Sequence, residues 1–223
     1  FIRQAEQAFE KSSPQLYPTY DRGNAATQPN DPAQLRLNTI GQSNWGTPGD
    51  SISWEVNVPQ AGLYRIAVRA RQNYNQGMKS YRTLRINGEI PFAEAESIAF
   101  PYSQSWYVQV LGDETPYEIY LEPGDILTLS CTSGEMSEVL RNVRESILRL
   151  NEVYRQIIAV TSTDPDIYQD YSLEMQIPGL ETQLKELGDF LSHTADLAQA
   201  VTGTRGSQAA ELDYVAVMMY EFA

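Results

Sequence analysis

Ser51-Ile52-Ser53-Trp54-Glu55-Val56-Asn57-Val58 alternates polar and apolar residues at every step. Successive side chains of an extended chain point to opposite faces, so Ile52, Trp54, Val56 and Val58 share one side of a half-buried strand. Pro59-Gln60-Ala61-Gly62 follows as a turn, and Leu63 to Arg71 alternates again. There Tyr64, Ile66, Val68 and Ala70 face inward while Arg65, Arg69 and Arg71 face out. Tyr81 to Ile86 is a third strand, and Asn87-Gly88 marks a tight turn because both residues tolerate positive φ. Trp106–Leu111 and Tyr117–Leu121 flank the acidic turn Gly112-Asp113-Glu114-Thr115-Pro116. Pro123-Gly124-Asp125 then leads into Ile126–Cys131, with Leu127, Leu129 and Cys131 on one face. Short strands at this spacing predict an antiparallel sandwich or barrel rather than a βαβ fold. Residues 12–50, rich in Pro, Asn, Gly, Thr and Gln, read as a functional segment or a loop pinned over the core.

The period changes after Thr132. Met136, Leu140, Val143, Ile147, Leu150, Tyr154 and Ile157 alternate steps of four and three, the seam of a long packed helix. Asp164-Pro165 signals a short helix to about Tyr171. Pro178 opens another, with Leu180, Leu184, Leu187, Leu191, Ala198 and Val201 on one stripe and Gly203 as its stop. Ser207 caps a last helix carrying Ala209, Leu212, Val215, Ala216, Met219 and Phe222. The predicted class is therefore α+β: a β-sandwich over residues 1–132, followed or interrupted by an amphipathic helical bundle over residues 133–223. No tandem repeat is visible.

Composition narrows the function classes. The chain has 223 residues, 42% hydrophobic and 20% charged, which is globular rather than disordered. A net charge of −13 repels phosphate backbones and disfavours nucleic acid. The single cysteine, Cys131, forbids an internal disulfide and reads as a small core residue. No stretch is long and apolar enough to span a bilayer. Phe1 opens in strand-like sequence and Phe222-Ala223 stops within an apolar helix pattern, which reads as a fragment of a larger protein.

No motif announces catalysis. His193, the one histidine, lies within a helix pattern with no nucleophile beside it, so it reads as a partly exposed helix residue. GxGxxG, P-loop, HExxH and CxxC patterns are absent, which argues against zinc. Acids such as Glu94, Glu96, Asp113, Glu114, Glu118, Glu122 and Asp125 read as solvated faces, although a glycosidase needs only two carboxylates in one cleft. Calcium is compatible with turns rich in oxygen ligands, and Glu6, at the start of the first predicted strand, is either one such ligand or a strand-edge charge. Arg71-Gln72-Asn73-Tyr74-Asn75-Gln76 follows a strand, and Phe100-Pro101-Tyr102-Ser103-Gln104-Ser105-Trp106 precedes one. Sugars are held by a ring stacked on their apolar face and by planar polar groups on their hydroxyls, a mixture that both segments supply. Arg71, Asn73, Tyr74, Tyr102 and Trp106 are the candidate contacts. Tyr102 and Trp106 could equally plug the open end of the sandwich, and Trp54 alternates with core residues.

Three stretches carry a resemblance. Ile2-Arg3-Gln4-Ala5-Glu6, the run from Ile52 through Pro59-Gln60-Ala61-Gly62 to Ile66, and Leu84-Arg85-Ile86-Asn87-Gly88-Glu89 resemble motifs of the galactose-binding-like jelly rolls of carbohydrate-binding modules. The resemblance covers about the first 130 residues. It implies a jelly-roll sandwich, glycan binding, and a structural calcium with Glu6 as a ligand. Such modules close with a strand beside the first; here helices arrive instead. Leu212–Val217 has the composition of that strand in helical surroundings, so the helices read as an insertion packed on the sandwich, before a closing strand beyond Ala223. Together with Asn38–Trp45 and Phe100–Gln104, the arrangement also resembles an accessory region of large bacterial extracellular solute-binding proteins of ABC importers. That resemblance implies a non-catalytic, extracellular, cell-surface module whose partners are an oligosaccharide or cell-surface glycan and other domains of the same polypeptide. The competing expectations are a structural or protein-docking domain, and a glycoside-active enzyme domain.

Overall fold

The computed structural model describes residues 1–24, 27–74, 76–112 and 114–223; Asn75 and Asp113, named above, lie outside the described residues. The chain forms two compact units, Phe1–Gly134 and Glu135–Ala223.

The first unit is built from antiparallel strands: β1 (Glu10–Lys11), β2 (Pro18–Thr19), β3 (Thr39–Ile40), β4 (Ser51–Val56), β5 (Gly62–Tyr64), β6 (Ala67–Ala70), β7 (Ser80–Ile86), β8 (Ile98–Phe100), β9 (Tyr107–Val110), β10 (Ile119–Leu121) and β11 (Asp125–Thr132). One sheet runs β1-β4-β11-β7-β8, and the other pairs are β10-β5, β6-β9 and β2-β3. The last strand thus lies at the centre of the large sheet, a jelly-roll type of crossing and not a meander.

Register explains the core. Leu129 lies opposite Ile52 on β4 and Leu84 on β7, while Leu127 lies opposite Trp54 and Ile86. Two apolar rows therefore cross three strands on the inner face. Tyr64, Ile66, Val68 and Ala70 pack against them from the opposite layer, with buried Leu111, Ile119 and Leu121. Burial of each such large side chain contributes about 1.5–3 kcal/mol. The predicted run Leu63–Arg71 is split into β5 and β6, and Leu111 donates its N–H to the Ile66 carbonyl at the break. Asn87 and Gly88 both take positive φ, as the turn requires. The Asn87 side chain also accepts from Ile126 N–H and donates to Asp125.

The N-terminus departs from expectation. Glu6 lies in a turn closed by Gln7 N–H to the Gln4 carbonyl, and the first strand begins only at Glu10. The indole of Trp54 donates to the Ala5 carbonyl at 2.7 Å, which draws this segment into a turn rather than a ladder.

The second unit contains α1 (Ser137–Thr161), α2 (Leu173–Gln176), α3 (Leu180–Thr202) and α4 (Ser207–Glu221). α3 packs against both α1 and α4. Its stripe of Leu180, Leu184, Leu187, Leu191 and Ala198 is buried, and Gly203 ends it in the left-handed region. α1 is rotated from its predicted orientation. It buries Val139, Asn142, Ser146 and Val153, whereas Leu140, Ile147, Leu150 and Tyr154 of the expected seam are exposed. No helix forms at Asp164-Pro165. There Ser162 Oγ bonds the Asp164 carbonyl, and Asp166 takes the Tyr168 N–H, local side-chain bonds that compete with a helical turn. Ser207 is the first residue of α4 rather than its cap, a position held by Gly206. Leu212–Val217 is helical, and among the described residues no helix is long and apolar enough to cross a membrane.

Candidate functional site

The first unit holds a cleft of about 520 Å³. Its floor is core: Trp54, Phe100 and Leu129 are buried. Exposed Gln42, Ser43, Asn73 and Tyr74 line it nearer the solvent. All three tryptophans of the chain, Trp45, Trp54 and Trp106, line this one space.

Two side chains hold its loops together. Buried Gln72 donates its amide to the Met78 carbonyl and accepts from Tyr74 N–H, and its main-chain carbonyl accepts from Ser103 N–H. The loop after β6 is thereby tied to the loop after β8. Asp21 is the second. One oxygen accepts from the Trp106 indole at 2.7 Å and pairs with Arg71 at 2.9 Å, and the other takes the Gly23 N–H. Asn38 fixes Asp21 from behind, accepting its N–H and donating to its carbonyl. Burial pushes the Asp21 carboxyl upward, but the bonds from Trp106, Gly23 and Arg71 outweigh it and hold the group below its ordinary range.

The candidate contacts divide accordingly. Arg71, Asn73, Tyr74 and Trp106 line the cleft, and Tyr102 does not. Arg71 lies 5.0 Å from the Trp106 ring centroid, so one face of that indole is covered and its N–H is engaged. Tyr74, 62% exposed, is the ring available for stacking. Tyr102 is half-buried, and its hydroxyl bonds the Gln104 amide. Trp106 braces the opening through Asp21 as well as lining the cleft.

Sequence reasoning missed Asp21, Trp45 and Arg82. Asp21 lies in the irregular polar segment, and its partners stand 50 and 85 residues away along the chain. The Asp-x-Gly spacing announces the local turn but not the contact with Trp106. Arg82 alternates in phase with Leu84 and Ile86 and therefore shares their inner face, at its open end opposite Cys131. In the structure its guanidinium lies 4.4 Å from the Trp45 ring centroid and donates to the Tyr81 and Trp45 carbonyls. Desolvation pulls the Arg82 guanidinium below its ordinary pKa, the direction expected of a cation withdrawn from water. Cys131 is buried beside it, and burial pushes that thiol up, away from nucleophilic use. His193 is exposed on α3.

Glu6 was the candidate calcium ligand. Its Oε2 is buried without a hydrogen-bond partner, and burial raises the carboxyl above its ordinary range against the pull of its own N–H and Arg3. A calcium ion takes 6–8 oxygens. Among the described residues no three acidic, His or Cys side chains converge, so any further oxygens for a calcium at Glu6 would have to come from carbonyls or hydroxyls.

No curated protein matches the chain significantly. Similar solved structures include a cycloisomaltooligosaccharide glucanotransferase of Paenibacillus sp. complexed with cycloisomaltoheptaose, at 19% identity and TM-score 0.40, over 57% of this chain and 15% of that one. A family 35 carbohydrate-binding module from Clostridium thermocellum is 17% identical with TM-score 0.33, over 43% of this chain and 66% of that one. CBM35 from Cellvibrio japonicus Abf62 is 18% identical with TM-score 0.38, over 58% and 79%. Residues 138–222, which run from α1 through α4, match the family described as bacterial solute-binding protein, 4-helix bundle domain.

Proposed function

We propose that this chain is a non-catalytic, glycan-binding accessory region of an exported bacterial solute-binding protein, with the cleft of the sandwich as its binding site. The observation that carries the proposal is the convergence of all three tryptophans, Tyr74 and the planar groups of Arg71, Gln72 and Asn73 on one space. Aromatic faces match the C–H face of a pyranose, and amide or guanidinium planes match its hydroxyls. The family of the helical unit supports a place in solute capture on the outer side of the bacterial membrane. A glycoside-active domain needs two carboxylates across its cleft, and among the described residues no Asp or Glu lines this one.

Titration against an oligosaccharide panel tests the reading. Binding in the weak range typical of single-cleft modules is expected, reduced roughly ten-fold or more by Tyr74→Ala, which removes the exposed stacking ring. No binding to any plant, host or cell-wall glycan would remove the proposal.

One observation favours protein docking instead. α1 exposes Leu140, Ile147, Leu150 and Tyr154 along one side. Under that reading Ile147→Glu weakens association with flanking polypeptide or with a second copy, measured by sedimentation, and leaves glycan titration untouched.

A further inference from the structure

The cleft differs from the rest of the molecule in charge. The chain carries 29 Asp and Glu against 16 Lys and Arg, yet among the described residues the cleft lining contains Arg69, Arg71 and Arg82 and no Asp or Glu. Arg71 is offset by Asp21 just behind the lining. Arg82 is different. Its guanidinium meets the Tyr81 and Trp45 carbonyls, the Cys131 sulfur and the Trp45 ring, none of which is a carboxylate. Among the described residues no carboxylate lies within ion-pair distance of it.

A cation withdrawn from water costs free energy unless an opposite charge compensates it. Carbonyls and an aromatic face compensate part of that cost and leave the positive charge on the cleft wall. Outside the cleft the molecule is acidic, but at ordinary ionic strength exposed charges are screened beyond about 10 Å. Asp21 cancels Arg71, so a ligand within the cleft feels Arg82 more than the exposed acids beyond that range.

From this we infer that the cleft selects glycans bearing an anionic substituent, a uronate carboxylate or a sulfate ester, over neutral ones. This rests on the glycan-binding reading above and sharpens it. The sugar ring meets Tyr74, and its anionic group lies toward Arg82. Planar guanidinium suits both anions, since each presents paired oxygens.

The test is a calorimetric titration of the whole chain with oligogalacturonate, with its fully methyl-esterified counterpart and with a sulfated galactan oligosaccharide. The expected result is that one or both anionic sugars bind roughly ten-fold or more tighter than the ester. That advantage shrinks as salt rises from about 0.05 to about 0.5 M, because screening shortens with ionic strength. The arm that binds identifies the anion. Arg82→Lys is expected to retain part of the advantage and Arg82→Gln to lose it. Should Arg82→Gln fail to fold, the salt dependence of the wild-type chain decides. Equal, salt-independent binding of ester and acid overturns this inference and leaves glycan binding standing. Binding of neutral panel sugars alone does the same. Failure of every sugar overturns both.

Discussion

The two units satisfy their apolar residues in different ways. In the sandwich, apolar rows on β4, β11 and β7 face a second apolar layer, and Ile52, Leu84 and Leu129 are all buried. In the helical unit, α1 buries Asn142 and Ser146 while five large apolar residues, Leu140, Ile147, Leu148, Leu150 and Tyr154, stand in solvent. Ser146 Oγ bonds the Asn142 carbonyl one turn back, so its hydroxyl is satisfied within the helix itself. Leu140, Ile147 and Tyr154 lie about 120° around the helix from the line of Asn142, Ser146 and Val153. A helix in a bundle of four contacts two neighbours roughly a quarter-turn apart, and α1 uses one such face on α3. The sandwich is closed on its core; the helical unit keeps a side open.

The widest separation between them is in stability. Leu84→Ala removes a side chain with 0% exposure from the centre of the large sheet, and an unfolding free-energy loss of about 2–5 kcal/mol is expected. Ile147→Ala, at a site 54% exposed, is expected to change stability by no more than about 0.5 kcal/mol. Urea denaturation of both variants measures this. A loss at Ile147 comparable to that at Leu84 would mean that the stripe is covered in solution, and the contrast would fail.

Asp21 comes next, because it ties an irregular segment to the cleft. Asp21 and Arg71 have side chains 12% and 29% exposed, so the pair is only partly screened. Asp21→Ala removes the acceptor of both the Arg71 guanidinium and the Trp106 indole, and is expected to cost about 1–3 kcal/mol. The sign of its pH dependence follows from the lowered carboxyl. That contribution is full above the unfolded pKa and is lost as pH falls through the folded one. The wild type should therefore lose its margin over Asp21→Ala toward low pH. A constant margin down to that range would show that the carboxylate charge is not what holds the loop.

How much of this could be read from residues alone also differs between the units. A strand offers two faces, so alternation at Ile52, Trp54 and Val56 leaves one orientation once a core exists. A helix rotates continuously, and the apolar seam of α1 says that something covers it without saying whether α3 does. Positions 71–74 and 106 stand where loops leave strands, and that much was visible from the turn pattern. Their bracing by Asp21 was not, because a contact across 85 residues is set by tertiary packing and leaves no periodic trace. Arg82 was hidden by the same logic: it lies opposite Cys131 on β11, and only that register brings it beside Trp45.

The smallest effect expected concerns Glu6, where the sandwich leaves a polar group unsatisfied as α1 leaves apolar ones. Its buried Oε2 has no partner and its carboxyl is raised by burial. For a raised carboxyl, the favourable contribution is present below the unfolded pKa and disappears as pH rises through the folded one. At neutral pH the ionised group is therefore a net cost, and Glu6→Gln, similar in shape and uncharged, removes it. A modest rise in Tm is expected at pH 7 in the presence of a chelator, shrinking toward pH 4, where the wild-type carboxyl is protonated. Calcium gives the opposite outcome. If millimolar calcium raises the wild-type Tm by several degrees and leaves Glu6→Gln unmoved, Glu6 is a ligand whose remaining oxygens come from carbonyls. Without that response, the turn at Glu6 is a place where folding leaves a carboxylate without a partner, and a single amide relieves it.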